Sequence, residues 1–114
     1  MAMKYKVITL CGSSRFKEDF LRLQRELTLA GNIVLSLPFF SHADGKKLFN
    51  SRSTEDFERL TEMLDEMHRQ KIDMADEIFV VNVDGYIGKS TKKEIEYAQS
   101  QNKPIKYLFP LKDI

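Results

Sequence analysis

The stretch Tyr5-Lys6-Val7-Ile8-Thr9-Leu10-Cys11-Gly12-Ser13-Ser14-Arg15 decides the fold. Its first part, Tyr5 to Leu10, is a mostly apolar run carrying Val7, Ile8 and Leu10. Such a run suits a parallel strand buried on both faces. It stops at Cys11-Gly12-Ser13-Ser14, where Gly12 permits a tight turn and the serines favour a helix N-cap. From about Arg15 to Ala30 the period becomes helical. Phe16, Phe20, Leu23, Leu27 and Ala30 recur at spacings of three and four, and Gly31 is a stop signal.

The rest of the chain repeats this strand–turn–helix unit. Asn32 to Leu37 reads as a second strand, followed by Pro38. Ser41 to Ser53 has no period and reads as a long loop. Thr54 to Met74 reads as a helix with Phe57, Leu60, Leu64, Met67 and Ile72 as its buried stripe. Glu77 to Asn82 is a third strand, Ser90 to Gln101 a third helix ended by Asn102 and Pro104, and Ile105 to Leu108 a last strand. Alternating strands and helices predict an α/β single domain over residues 1–114: a flavodoxin-like three-layer sandwich, its parallel sheet covered by helices on both faces. Right-handed crossovers and one switch in winding direction give the strand order 2-1-3-4. Ligands in such sheets bind beyond the carboxyl ends of the strands at the switch point, here between strands one and three. The loops Cys11 to Arg15 and Asn82 to Thr91 meet there.

Composition narrows the function classes. The 114 residues hold 18 Lys plus Arg against 17 Asp plus Glu, a net charge of +1. That balance supplies no bulk field for a nucleic acid polymer or an anionic membrane. Cys11 is the single cysteine, so no internal disulfide forms, as suits a reducing compartment. No apolar run approaches the ~20 residues of a membrane helix, and no leader is read at the start. The expectation is a cytoplasmic protein. No cofactor is implied. No metal constellation is read either, since His42 and His68 are far apart and no Cys-x-x-Cys pair exists.

In the first loop, Gly12, Ser13 and Ser14 either cap a helix or aim backbone N–H groups at an anion. Arg15 in the first helical turn opposes the helix dipole unless an anion sits above it. In the second loop, Asp84, Gly85, Tyr86 and Gly88 precede Lys89-Ser90-Thr91. A P-loop needs a glycine where Val83 stands, so that motif fails. Asp84 is a turn residue or a sugar-hydroxyl ligand, and Tyr86 an exposed tyrosine or a base-stacking one. Thr91 and Glu94 have capping-box spacing, which competes with a site role for the Glu94 carboxylate. His68, one position from the apolar stripe with Asp65 three residues earlier, is a structural histidine or a general acid. Asp44, Gly45, Lys46, Lys47 and Arg52 are a solvated surface or a lid over a phosphate.

These segments resemble the nucleoside 2-deoxyribosyltransferase superfamily, which includes the deoxynucleoside 5′-monophosphate N-glycosidases. Cys11-Gly12-Ser13-Ser14-Arg15 resembles their phosphate-binding turn, and Ala75-Asp76 the step before their third strand. Ser90-Thr91-Lys92-Lys93-Glu94-Ile95-Glu96-Tyr97-Ala98 with Lys103-Pro104-Ile105 resembles their nucleophile segment. The resemblance implies that Glu94 is a carboxylate nucleophile attacking C1′ of a deoxyribosyl group. It implies that Ser13 and Arg15 hold a 5′-phosphate, and that the chain forms a homodimer or larger homo-oligomer. Exposed Phe39, Phe40 and Phe109 would suit such assembly. The chain departs from the family at Thr9 (a tyrosine there), His68 (an aspartate), Ser90 and Glu96 (glycines). The expected function is N-glycosidic hydrolysis or deoxyribosyl transfer on a nucleoside or nucleotide, with Glu94 and His68 catalytic. Substrate would be held by Gly12, Ser13, Ser14, Arg15, Asp84, Gly85, Tyr86, Gly88, Ser90 and Thr91. The alternative is a non-catalytic module that binds a nucleotide or nucleotide-sugar. An FMN or receiver domain fits less well, because the first loop carries no acidic cluster and only part of a phosphate loop.

Overall fold

A computed structural model describes residues 4–40 and 53–111. The elements are β1 (Lys6–Gly12), a 3-10 turn (Ser14–Phe16), α1 (Lys17–Leu29), β2 (Asn32–Leu35), α2 (Thr54–Met74), β3 (Glu77–Val81), a second 3-10 turn (Val83–Gly85), α3 (Lys89–Ser100) and β4 (Ile105–Tyr107). The four strands pair in parallel in the order 2-1-3-4, as the alternation of elements requires. His42, Asp44, Gly45, Lys46, Lys47 and Arg52, read above as a surface or a lid, lie outside the described residues.

Alternate strand residues separate into two cores, because neighbouring side chains on a strand point to opposite faces. Ile8, Leu10 and Val81 pack with Phe20 and Leu23 of α1. Cys11, Ile78 and Val80 pack with Ile72 of α2 and with Ile95 and Ala98 of α3. Helix α1 therefore covers one face, and α2 and α3 the other. Asp76 fixes the lower end of the sheet: its N–H donates to the Val7 carbonyl at 2.8 Å, and its carboxylate accepts from the Val7 N–H at 2.8 Å. Lys103 donates to the carbonyls of Asp73 and Ala75 at the end of α2, where a cation also suits the helix dipole.

Three expectations change. Phe39, expected exposed, is half-buried and meets the Phe20 ring edge-on at 5.3 Å, because it packs onto the α1 side of the core. The first strand runs on through Cys11 and Gly12, because Val80 and Val81 of β3 continue beside them. The stripe assigned to the second helix is not wholly buried: Phe57 and Met67 are 44% and 43% exposed, while His68 and Ile72 are buried. Length explains this. Twenty-one residues span about 31 Å of helix, whereas the five residues of β3 span about 17 Å. The first half of α2 overhangs the carboxyl edge of the sheet. Among the described residues no helix is long and apolar enough to cross a membrane.

Candidate functional site

Gly12 ends β1 where β3 and α1 leave no room for a side chain. A Cβ there would sit 2.9 Å from the Val81 carbonyl oxygen and 3.1 Å from the Phe20 ring. After it, the Ser13 hydroxyl accepts from the Arg15 N–H at 3.3 Å and starts the 3-10 turn. Ser14 and Arg15 are exposed. The second loop comes up against this turn. The Arg15 guanidinium lies 4.3 Å over the Tyr86 ring, and Phe16 meets Tyr86 edge-on at 5.8 Å. Gly88 lies beneath Tyr86: a Cβ there would be 3.4 Å from the tyrosine hydroxyl.

Asp84 and Gly85 turn the chain with consecutive positive φ angles of 55° and 84°. Aspartate and glycine are among the residues that tolerate that region. They face Phe109, Pro110 and Leu111 across a separate depression. Buried Asn82 holds that wall, donating to the Phe109 carbonyl at 2.8 Å and accepting from the Phe109 N–H at 2.9 Å.

A second cluster forms between α2 and α3. Helix α3 begins at Lys89 with Gly88 as its N-cap, and no side chain caps it. Thr91 therefore lies within the first turn and is buried, so the expected capping box does not form. The Glu94 carboxylate is left free to face α2. Its Oε2 lies 3.7 Å from Nε2 of His68, and the same nitrogen lies 3.5 Å from Sγ of Cys11. His68 is not a surface histidine. It is 5% exposed, tucked beside β1.

Burial sets the protonation of all three groups. It raises Glu94 to about 7, with Asp65 pushing the same way and Arg69 opposing. It lowers His68 to about 4, helped by the Lys71 charge and opposed by the Leu10 backbone. It raises the Cys11 thiol well above its usual range, with the Glu94 charge adding to the effect. Near neutral pH, His68 and Cys11 are uncharged and Glu94 is divided between its two forms. A low histidine pKa removes the imidazolium that a general acid would need at neutral pH. The ring is better placed to position Glu94.

Glu94 opens onto a pocket of about 80 Å³ lined with Asp65, Arg69, Ser90 and Lys93. The sequence-derived candidates thus fall into three places. Glu94 and Ser90 line this pocket, with His68 buried behind Glu94. Arg15, Tyr86 and Gly88 form the loop contact above β1. Asp84 and Gly85 face the chain end beyond β4. The roles of Arg69 and Lys93 and the approach of Cys11 to His68 were not read from the sequence. The 65/69 and 90/93/94 spacings on helices were the available signal, since residues three and four apart share a face. No family model and no curated protein matches this chain.

Proposed function

We propose that this chain cleaves or transfers the N-glycosidic bond of a nucleoside or nucleoside 5′-monophosphate, with Glu94 as nucleophile. The observation that carries the reading is the free Glu94 carboxylate, released from any cap and facing a pocket one turn into α3. The resemblance to the deoxyribosyltransferase superfamily puts its nucleophile at the same residue. In the ionised form, Glu94 attacks C1′ and forms a glycosyl ester. The C1′–N bond breaks, and the base leaves with that electron pair and takes up a proton. Water or a second base then attacks C1′ and frees the carboxylate. Burial away from bulk water strengthens the negative charge opposite an oxocarbenium-like centre. His68 acts as the positioning residue, its uncharged ring set behind the carboxylate. Thr9 does not take the orienting role of the family's tyrosine, because its hydroxyl donates to the Lys71 carbonyl at 2.7 Å.

A pocket of about 80 Å³ admits the sugar's anomeric end and not a whole nucleoside. The remainder of the ligand extends along the sheet edge, where Arg15 and Ser13 meet a 5′-phosphate. Tyr86 is 42% exposed, and a base stacks on the part of its ring that Arg15, Phe16 and Gly88 leave open. A second copy of the chain completes the enclosure.

The test is chromatographic detection of free base from a panel of nucleosides, deoxynucleosides and their monophosphates, with and without acceptor base. Base release that disappears in Glu94→Gln supports the reading. Equal release from that folded variant overturns it. One observation favours a binding module instead: Thr9 stands where the family has its orienting tyrosine, and its hydroxyl is committed to the Lys71 carbonyl. That reading expects ligand recovered intact after tight binding.

A further inference from the structure

Cys11, His68 and Glu94 come from β1, α2 and α3, yet their donor atoms lie within 4.8 Å of one another. They make poor partners for each other. The His68 to Glu94 separation of 3.7 Å is too long for a hydrogen bond, and the 3.5 Å contact to Cys11 is a weak sulfur one. These spacings suit a different arrangement. A tetrahedral ion held at ~2.3 Å by sulfur and ~2.0–2.1 Å by nitrogen and oxygen keeps its ligands roughly 3.3–3.6 Å apart. Small side-chain shifts bring the three donors to that spacing.

Two further observations point the same way. Nδ1 of His68 is buried without a hydrogen-bond partner. The Leu10 backbone beside the ring favours a proton on it. An imidazole that binds metal through Nε2 carries its hydrogen on Nδ1 and turns it toward such a group. The pocket beside Glu94 provides both an approach and room for a water as remaining ligand.

We propose that Cys11, His68 and Glu94 form a three-ligand site for a borderline-soft divalent cation, zinc by its donor set, with the fourth position open to the pocket. Thiolate, imidazole and carboxylate together select zinc over magnesium or calcium, which prefer all-oxygen shells. On binding, the Cys11 S–H bond breaks, the proton passes to solvent and a sulfur–metal bond forms. Any proton on Glu94 leaves in the same way. A consequence follows for catalysis, and it alone rests on Glu94 being the nucleophile. The ion occupies the carboxylate, so zinc switches base release off.

The binding test uses cobalt(II) as the probe on the chelator-treated 114-residue chain. The expected result is a 1:1 titration with a thiolate-to-cobalt charge-transfer band and intense tetrahedral visible bands, both displaced by zinc. Cys11→Ser should lose the charge-transfer band, and His68→Gln and Glu94→Gln should each weaken binding at least ~100-fold, the top of the ~10–100-fold range for a lost outer-shell partner, since each is itself a ligand. Circular dichroism checks that each variant is folded. Absence of the band in folded wild-type chain overturns the site, as does its persistence in Cys11→Ser. Zinc is then added to the base-release assay. Stoichiometric zinc should abolish release by wild-type chain, and chelator should restore it; release unaffected by bound zinc would overturn the switch. Cobalt binding without base release from metal-free chain would sink the nucleophile reading and leave the site standing. Base release without cobalt binding would do the reverse.

Discussion

The two candidate regions at the carboxyl edge of the sheet are built on opposite terms. Between α2 and α3, Glu94, His68 and Cys11 are pressed together with long contacts, shifted protonation and an unpartnered nitrogen. Above β1, Arg15, Phe16 and Tyr86 are exposed or half-buried and already satisfy one another through ring contacts. Buried polar groups without good partners raise the free energy of the folded state, and such groups concentrate where chemistry is done. On the proposed function, reactivity belongs to the first region and ligand grip to the second.

The largest effect should come from Glu94→Gln. Loss of the nucleophile should lower base release at least ~10³-fold with little change in substrate affinity, as expected when an interaction made in the transition state is removed. The same change should raise the melting temperature at pH 8, because a buried carboxylate that must ionise there is gone. Activity without stabilisation, or stabilisation without loss of activity, would break the contrast between the regions.

The next effect separates the partners within the buried region. Glu94 is raised to about 7 in the folded chain, so it binds a proton more tightly than when unfolded. Its contribution is full below about 4.5 and is lost as pH rises through about 7. His68 is lowered to about 4, so its contribution is present above about 6.5 and is lost as pH falls through about 4. Each amounts to about 3 kcal/mol, and the two slopes oppose between pH 4.5 and 6.5. Metal-free wild-type chain should show a nearly flat urea midpoint across that window. Glu94→Gln should gain stability as pH rises, and His68→Gln should lose it. Asp65, Arg69, Lys71 and Cys11 face the pair and are unchanged in both variants.

How much of this was legible in the sequence differs between the same two regions. Strand order and the meeting of the two loops followed from the apolar runs and the element order, because a parallel sheet leaves few alternatives. Glu94 and His68 were marked as candidates, but not their approach to Cys11. That approach depends on how α2 and α3 rotate against β1, which no local spacing records. The α2 stripe was overread for a related reason. Periodicity shows that Phe57 and Met67 share a face, and not that anything covers it. The capping-box alternative at Thr91 falls away because a helix start shifted from Ser90 to Lys89, with Gly88 as cap, puts Thr91 inside the first turn and buries it.

Gly12→Ala should show that the two regions share one support. Its Cβ would press on the Val81 carbonyl and the Phe20 ring, and its φ of +155° disfavours any side chain. A loss of about 1–3 kcal/mol is expected, the usual scale for overpacking, or several degrees in Tm. Shifted cobalt bands in this variant would show that displacing β1 moves Cys11 too. Unaltered bands with weaker monophosphate binding would confine the damage to the loops.

The smallest effect belongs to Arg15→Gln. Its guanidinium stands exposed over Tyr86, and an exposed cation–π contact contributes only about 0.5–1 kcal/mol, so Tm should barely move. The ligand dependence is the sharper measure. If Arg15 grips a 5′-phosphate, KM for monophosphates should rise roughly tenfold, a charge-assisted hydrogen bond's worth, while KM for nucleosides stays unchanged. Because Arg15 takes no part at C1′, kcat should hold for both substrates. A fall in kcat for nucleosides would mean that the exposed loop shapes the buried pocket, and the division between grip and chemistry would have to be redrawn.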